Sequence, residues 1–348
     1  MSAPATQSRT EAHQLRLVRV DPRDRAAVTA SVELLNAAQR VDDPGEHPAL
    51  PELAAGWLEF GWDLAPAERY LAFAAHCDEP VAVLEADLPT RDNRHLVWGN
   101  IVVHPDHRRR GHGSALVAEL VRRAIQADRT TLWLDAAEDD PGARVFLERH
   151  GFHYASHDAR RRQVLADVDQ DAVTRLHAQA SKAAADYTLE RLVPPVPDEV
   201  LEQLVEVTAA INDAPMGDLT FEDEVFDLAR LRDQETARVG RRDRIYRIAA
   251  RHRRTGVIGG HTLVVLNPLD PTHAGQGDTA VHRDHRGHRL GMLLKIEMMR
   301  WLAETEPQIT DLTTWNHADN RYMIDVNEAI GYRLSRIFAT YERTLPAG

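Results

Sequence analysis

The stretch Val102-Val103-His104-Pro105-Asp106-His107-Arg108-Arg109-Arg110-Gly111-His112-Gly113-Ser114 decides the fold. An apolar run closes at Val103, glycines follow, and from Ser114 to Gln126 apolar residues recur at helical spacing. A strand ends, side chains are removed from the main chain, and a helix begins. A helix start leaves amide N–H groups unpaired and carries the positive end of the dipole. Glycines let a bulky anion reach those amides, and three arginines stand where they can add charge-assisted contacts to phosphates. The loop suits a pyrophosphate. No Lys-Ser/Thr pair follows the glycines, and the spacing is not Gly-x-Gly-x-x-Gly, so neither familiar nucleotide loop applies.

The stretch occurs twice. Ala280-Val281-His282-Arg283-Asp284-His285-Arg286 runs into Gly287-His288-Arg289-Leu290-Gly291 at an offset of 178 (286 − 108). Phe146-Leu147-Glu148-Arg149-His150-Gly151-Phe152 pairs with Val326-Asn327-Glu328-Ala329-Ile330-Gly331-Tyr332 at 180 (331 − 151). Two separate matches at nearly one offset predict a duplicated domain. Patterning places the elements in the same order in each half. They are a strand (Leu15–Val20; Tyr187–Val193), a helix (Arg25–Gln39; Glu199–Asn212) and a hairpin (Tyr70–Ala75 with Val81–Ala86; Tyr246–Arg251 with Val257–Val265). The strand leading into the glycine loop follows, then a helix (Ser114–Gln126; Met292–Glu304) and a strand (Thr131–Asp135; Ile309–Trp315). The expected organisation is a disordered tail over 1–13, a domain over 14–165, a linker helix within 166–185 and a second domain over 186–346.

Length agrees, since 348 residues at about 150 per domain give two domains. Hydrophobic residues at 43% and charged residues at 28% describe an ordinary globular chain. The longest apolar runs fall far short of the roughly 20 residues a membrane helix needs, and Met1–His13 does not read as a signal peptide. A lone cysteine, Cys77, supplies neither an intrachain disulfide nor a thiolate metal cluster, so the expectation is a cytoplasmic protein. The net charge of −12 argues against a nucleic-acid partner and points weakly to an amine. The arginine islands at 160–162 and 241–242 are expected to be solvated faces.

Arg108-x-x-Gly111-x-Gly113, after a strand ending Val-Val-His-Pro, resembles the acyl-CoA motif of the GCN5-related N-acetyltransferase superfamily. The resemblance covers each half once, through the Gly-Phe and Gly-Tyr of the last block. The second half, with Gln276-Gly-Asp278-Thr279, Thr314-Trp-Asn316 and Asn320-x-x-Met323, resembles a tandem branch. The fold implied is α/β (α+β): two tandem domains, each a mixed, mostly antiparallel sheet flanked by helices, with a splayed central strand pair. Acetyl-CoA is the implied co-substrate and a small-molecule primary amine the acceptor. The cofactor residues implied are Ile101, Val102, Val103, Arg108, Arg109, Arg110, Gly111, His112, Gly113 and Ser114 in the first half. In the second they are Ala280, Val281, Arg286, Gly287, His288, Arg289, Leu290, Gly291 and Asn320. Arg289 stands where the first half has Gly111, and its side chain either crowds the phosphates or points outward.

Acetyl transfer needs a proton taken from the ammonium, a stabilised carbonyl oxygen and a leaving thiolate. The family often serves the thiolate with a tyrosine four residues before the last glycine. Here those positions are Leu147 and Asn327, of which only Asn327 can donate. Asp278, His282 and His104, on or just after the splayed strand, are the other catalytic candidates. The histidines at 282, 285 and 288 lack completing ligands, so no metal is expected. The leading function is acetyl transfer to a small amine by direct attack. Relatives that make mycothiol or acetylate aminoglycosides and other antibiotics leave the acceptor open. A non-catalytic CoA sensor or interaction protein is the alternative, and a monomer or homodimer the expected state.

Overall fold

The computed structural model describes residues 15–346, so the expected tail over 1–13 lies outside the described residues. The chain folds as two compact units. Unit one takes the chain up to Ala136, then Asp140–Ala155, then Thr340 onward. Unit two takes Ala137–Asp139 and Ser156–Ala339.

Unit one contains β1 (Arg16–Arg19), α1 (Arg25–Asp42), α2 (Pro51–Phe60), β2 (Glu68–Phe73), β3 (Ala82–Asp87), β4 (Leu96–Val103), α3 (His112–Gln126), β5 (Thr131–Ala137) and α4 (Pro141–Arg149). Asp24 starts α1 by accepting from the amides of Ala26 and Ala27. The helix then lays Val28, Val32 and Leu34 against Leu71 and Val83 of the sheet. Strands β1 to β4 are antiparallel neighbours, and β5 joins β4 in parallel.

Unit two contains α5 (Gln170–Ala183), β7 (Tyr187–Leu192), α6 (Asp198–Ala209), α7 (Leu228–Gly240), β8 (Arg244–His252), β9 (Ile258–Leu266), β10 (His273–Val281), α8 (Leu290–Thr305), β11 (Asp311–His317) and α9 (Arg321–Ala329). Strand β6 (His153–Val164) gives it residues 156–164, and β12 (Arg333–Thr344) gives it 333–339. Its strand order is β12-β6-β11-β10-β9-β8-β7. Ile248, Ala250, Val264 and Leu266 face α8, while Ala249 and Ile258 face α6 and α7.

Residues 340–344 of β12 lie beside β5 in unit one. There Trp133 Nε1 donates to Glu342 (2.9 Å), Thr340 Oγ1 donates to Asp135 (2.6 Å), and the Leu345 amide donates to the Thr130 carbonyl (2.7 Å).

Helices α2 and α7 fall where patterning placed no element. The reason for α7 is plain from its face: the residues it buries include Arg230, Gln234, Glu235 and Arg238. A helix that buries polar groups shows no apolar period to detect. The arginine islands also differ from expectation. Arg160 and Arg161 are buried in β6, a strand flanked on both sides, and Arg160 lies over the rings of Trp315 and Phe338. Arg241 is buried against Asp243 at 2.9 Å. Aromatic faces and a carboxylate replace the water these guanidiniums were expected to keep.

Candidate functional site

In unit one the parallel ladder between β4 and β5 runs from Leu96↔Thr131 to Gly99↔Leu134 and stops. Asn100 to Val103 stay paired with β3 on their other side. Peptide groups of Ile101, Val102 and Val103 thus face the gap without a β5 partner. Gly99 sits at the divergence, and a Cβ there would lie 2.5 Å from Leu120 Cδ2. In unit two the ladder between β10 and β11 stops still earlier, at Gly275↔Thr313, and the β9–β10 register slips between Gln276 and Thr279. The bulge sets Gly277 and Asp278 together opposite Leu263, and Asp278 and Thr279, as neighbours on a strand, point to opposite faces. Thr279 bonds Thr262 Oγ1 (2.7 Å) and places Cγ2 beside Gly291 of α8. Asp278 faces the α7 side, within electrostatic reach of Arg238 and Arg247.

Each gap ends at the loop picked out from sequence. Gly111 (φ 85°) caps α3 and Arg289 (φ 54°) caps α8, both left-handed and without a side-chain cap. Each loop has a second left-handed residue two positions earlier, Arg109 (φ 64°) and Gly287 (φ 85°). Glycine and arginine have exchanged places between the copies while the backbone keeps one shape. The first-turn amides of His112, Gly113 and Ser114 head α3, where an anion is favoured. Arg289 points to α5, donating to Gln179 Oε1 at 2.8 Å, which answers the crowding question in favour of an outward side chain. Leu290 is buried, His288 approaches the Ala183 carbonyl, and Ser114 bonds His150 Nε2.

Arg108 and Arg286 do the same work in each copy. Nε returns to the last carbonyl of the splayed strand, Val103 or Val281, at 3.2 Å. The guanidinium then pairs with a carboxylate, Asp42 or Asp213. The Asp42 hydrogen bond raises the Arg108 pKa above its ordinary value. These arginines staple the loop to the strand. Arg110 holds the Asp106 carbonyl, while Arg109 is exposed.

His104 and His282 are caps. Each accepts from an amide two residues on, Asp106 or Asp284, through Nδ1. Asn327 is fully buried; its Nδ2 donates to Asn316 Oδ1 at 2.7 Å, and its Oδ1 has no partner among the described residues. Leu147, its counterpart, is buried and apolar. Asn320 caps α9 by accepting from the Met323 amide. The Tyr322 hydroxyl reaches the Gly291 position, where a Cβ would lie 3.8 Å from it. In unit one the Phe146 ring takes the matching place against Gly113 at 3.1 Å. The sequence signal that marks Tyr322 is its place two residues after Asn320.

The comparisons agree with this geometry. The profile of the Acetyltransferase (GNAT) family matches residues 33–152. A mycothiol acetyltransferase of Stackebrandtia nassauensis is 33% identical over 181 residues, 51% of this chain and 54% of that protein. One of Saccharomonospora viridis is 28% identical over 240 residues, 67% of this chain and 69% of that protein. The match thus spans about half to two thirds of these relatives. A tandem GNAT protein from the clavulanic acid biosynthesis pathway superposes with a TM-score of 0.78 at 27% identity, covering 96% of this chain and 99% of that one. Among the described residues no helix is long and apolar enough to cross a membrane. Residues 33–152 carry the GCN5-related N-acetyltransferase signature, and the whole chain, with a strand pair that parts above a glycine loop in both halves, has the fold of a tandem protein of that kind.

Proposed function

We propose that the chain transfers an acetyl group from acetyl-CoA to a primary amine of a small molecule. The observation that carries this reading is the parallel ladder that stops short, at Gly99↔Leu134 and again at Gly275↔Thr313, above a helix start with unspent amides. The unpaired edge of Ile101 to Val103, or of Thr279 to Val281, offers an amide-bearing arm a strand to pair with. The helix start offers a pyrophosphate its amides.

The acceptor enters as an ammonium and must lose one proton. Asp278 stands at the bulge on the face away from α8 and is the group in unit two suited to hold it and pass that proton to water. The neutral nitrogen attacks the thioester carbonyl carbon, the C–S bond breaks, and a second N–H proton is lost. The net products are the N-acetyl amine, the free thiol and one proton. Leu147 cannot donate to the leaving sulfur, and Asn327 already donates to Asn316, so the thiolate is protonated from solvent or by Tyr322.

The missing phenols favour a second reading, a CoA sensor without turnover. Free-thiol release with an amine panel separates the two: release above the acceptor-free rate supports transfer, and binding without such release supports the sensor. Gly111→Glu should abolish acetyl-CoA binding in unit one by calorimetry. Unchanged total stoichiometry refutes that assignment. The single cysteine leads us to place the reaction in the cytoplasm.

A further inference from the structure

Past the last ladder pair, Gly275↔Thr313, a side chain bridges the gap in unit two. Thr314 Oγ1, on β11, donates to the Gln276 carbonyl of β10 at 3.3 Å, and Thr314 is buried. Two residues on, Asn316 shares that face of β11, because side chains alternate along a strand. It is the first side chain of that face beyond the bridge. There β11 has left β10 and is held by β6, through Asn316↔Ala159.

The Asn316 amide is fixed at one end. Its Oδ1 accepts from Asn327 Nδ2 on α9 at 2.7 Å, and Asn327 is fully buried. An amide that accepts through its oxygen leaves its nitrogen facing another way. Asn316 is half-buried, and its Nδ2 makes no hydrogen bond among the described residues. Both of its N–H groups are unspent.

Unit one shows what the fold requires at these two places. The positions 180 residues earlier (316 − 136, 327 − 147) hold Ala136 and Leu147, both buried and apolar. Unit two has exchanged both residues for amides. The exchange costs stability, because Asn327 Oδ1 is buried without a partner among the described residues. A paired exchange that burdens the core and leaves a donor beside the gap marks a working group rather than a packing one.

The gap fixes what that donor meets. On the reading proposed above, a pyrophosphate sits at the start of α8 and the amide-bearing arm pairs along Thr279 to Val281. The arm then runs back along β10 toward the point where β10 and β11 join. Its thioester end arrives beside the Thr314 bridge, where Asn316 stands.

Resting on that reading, we propose that Asn316 is a catalytic residue of unit two, whose Nδ2 donates a hydrogen bond to the sulfur of the cofactor as it leaves. Asn327 is the positioning residue that sets the rotation of the amide. The amine nitrogen attacks the carbonyl carbon, the C–S bond breaks, and its electron pair stays on sulfur as a thiolate. Asn316 stabilises that charge and keeps both of its protons. The proton that completes the thiol comes from solvent. Unit one, with Ala136 and Leu147, lacks the donor.

The test uses coenzyme A, whose thiol ionises near pH 8.5 as a cysteine does, and desulfo-coenzyme A, which has no sulfur to ionise. Calorimetry gives the affinity of the full chain for both at pH 7 and pH 9.5. A donor on sulfur favours the thiolate, so the affinity for coenzyme A relative to the desulfo compound should rise about tenfold across that window. Asn316→Ala should remove the rise. Asn316→Ala/Asn327→Leu should also remove it while keeping the melting temperature at or above the parent value, because it restores the apolar pair of unit one. It therefore reads the site even if the single change fails to fold. In a chain already carrying Gly111→Glu, the same changes should lower kcat tenfold or more with KM for acetyl-CoA changed little. A relative affinity that stays flat or falls with pH in the parent, a rise that survives both changes, or an unchanged kcat overturns the proposal and leaves amine acetylation standing. Failure of coenzyme A to bind unit two overturns the acetyl-CoA reading of that gap and the proposal with it.

Discussion

Lys295→Met should stabilise unit two, and the gain should shrink as pH rises. The chain has two lysines among 42 basic residues, Lys182 and Lys295. Lys295 lies on α8, 2% exposed, in the core that holds Leu294, Ile296 and Met298. Among the described residues it makes no hydrogen bond or ion pair; its nearest described partner is the Tyr332 ring, 5.4 Å from Nζ. Burial lowers its pKa from 10.5 to about 7. A depressed lysine pKa means the unfolded chain binds more protons between those values. Stability therefore rises with pH across that window and is lowest below it. At 1.36 kcal/mol per pH unit, the full cost of the buried amine is about 5 kcal/mol. It is about 3 kcal/mol at pH 8 and about 1 kcal/mol at pH 10. Methionine matches the stem and carries no proton, so the variant should escape the cost. Thermal unfolding of both proteins from pH 7.5 to 10 should show two curves that converge. Parallel curves, or a variant less stable at every pH, would refute the reasoning and show an amine that is satisfied and charged in the fold.

Asp311 makes the opposite pH prediction. Burial works against its charge, but hydrogen bonds from Arg162 and His273 outweigh it and bring the pKa from 3.8 to about 2. The resulting stability is present above pH 3.8 and lost as pH falls through about 2. Asp311→Asn should cost about 2 kcal/mol at neutral pH and nothing near pH 2, by denaturant titration; an equal cost at both would sink it. Gly99→Ala should destabilise unit one by about 1–3 kcal/mol, because its Cβ meets Leu120 and Leu134, both fully or nearly fully buried. An unchanged melting temperature would show that the divergence of β4 from β5 has slack.

Much of this was legible in the sequence because two signals agreed. The glycine loops carry a backbone requirement, a left-handed residue before a helix, and the repeat shows it twice. Even Arg289 obeys it, at φ 54°, where sequence alone left its direction open. The staples Arg108–Asp42 and Arg286–Asp213 were not legible, since their partners lie at the far ends of other elements. His104 and His282 are candidates by residue type, and the geometry adds what sequence does not show, that the Nδ1 of each accepts from an amide two residues on. Helix α7 was missed for the property that gives it interest: it buries arginine and glutamine where a helix ordinarily buries leucine. Aligning the halves residue by residue exposes the exchange of Glu85 for Leu263, but only the ladder registers show that each faces an arginine.

The placing of residues 340–344 beside β5 has a consequence for biosynthesis. Trp133 waits for Glu342, a partner 209 residues away. A ribosome adding about 5–20 residues per second leaves that strand position open for roughly 10–40 seconds. Unit one therefore completes its sheet only after unit two has been made. An exposed edge persisting that long invites pairing with other nascent chains.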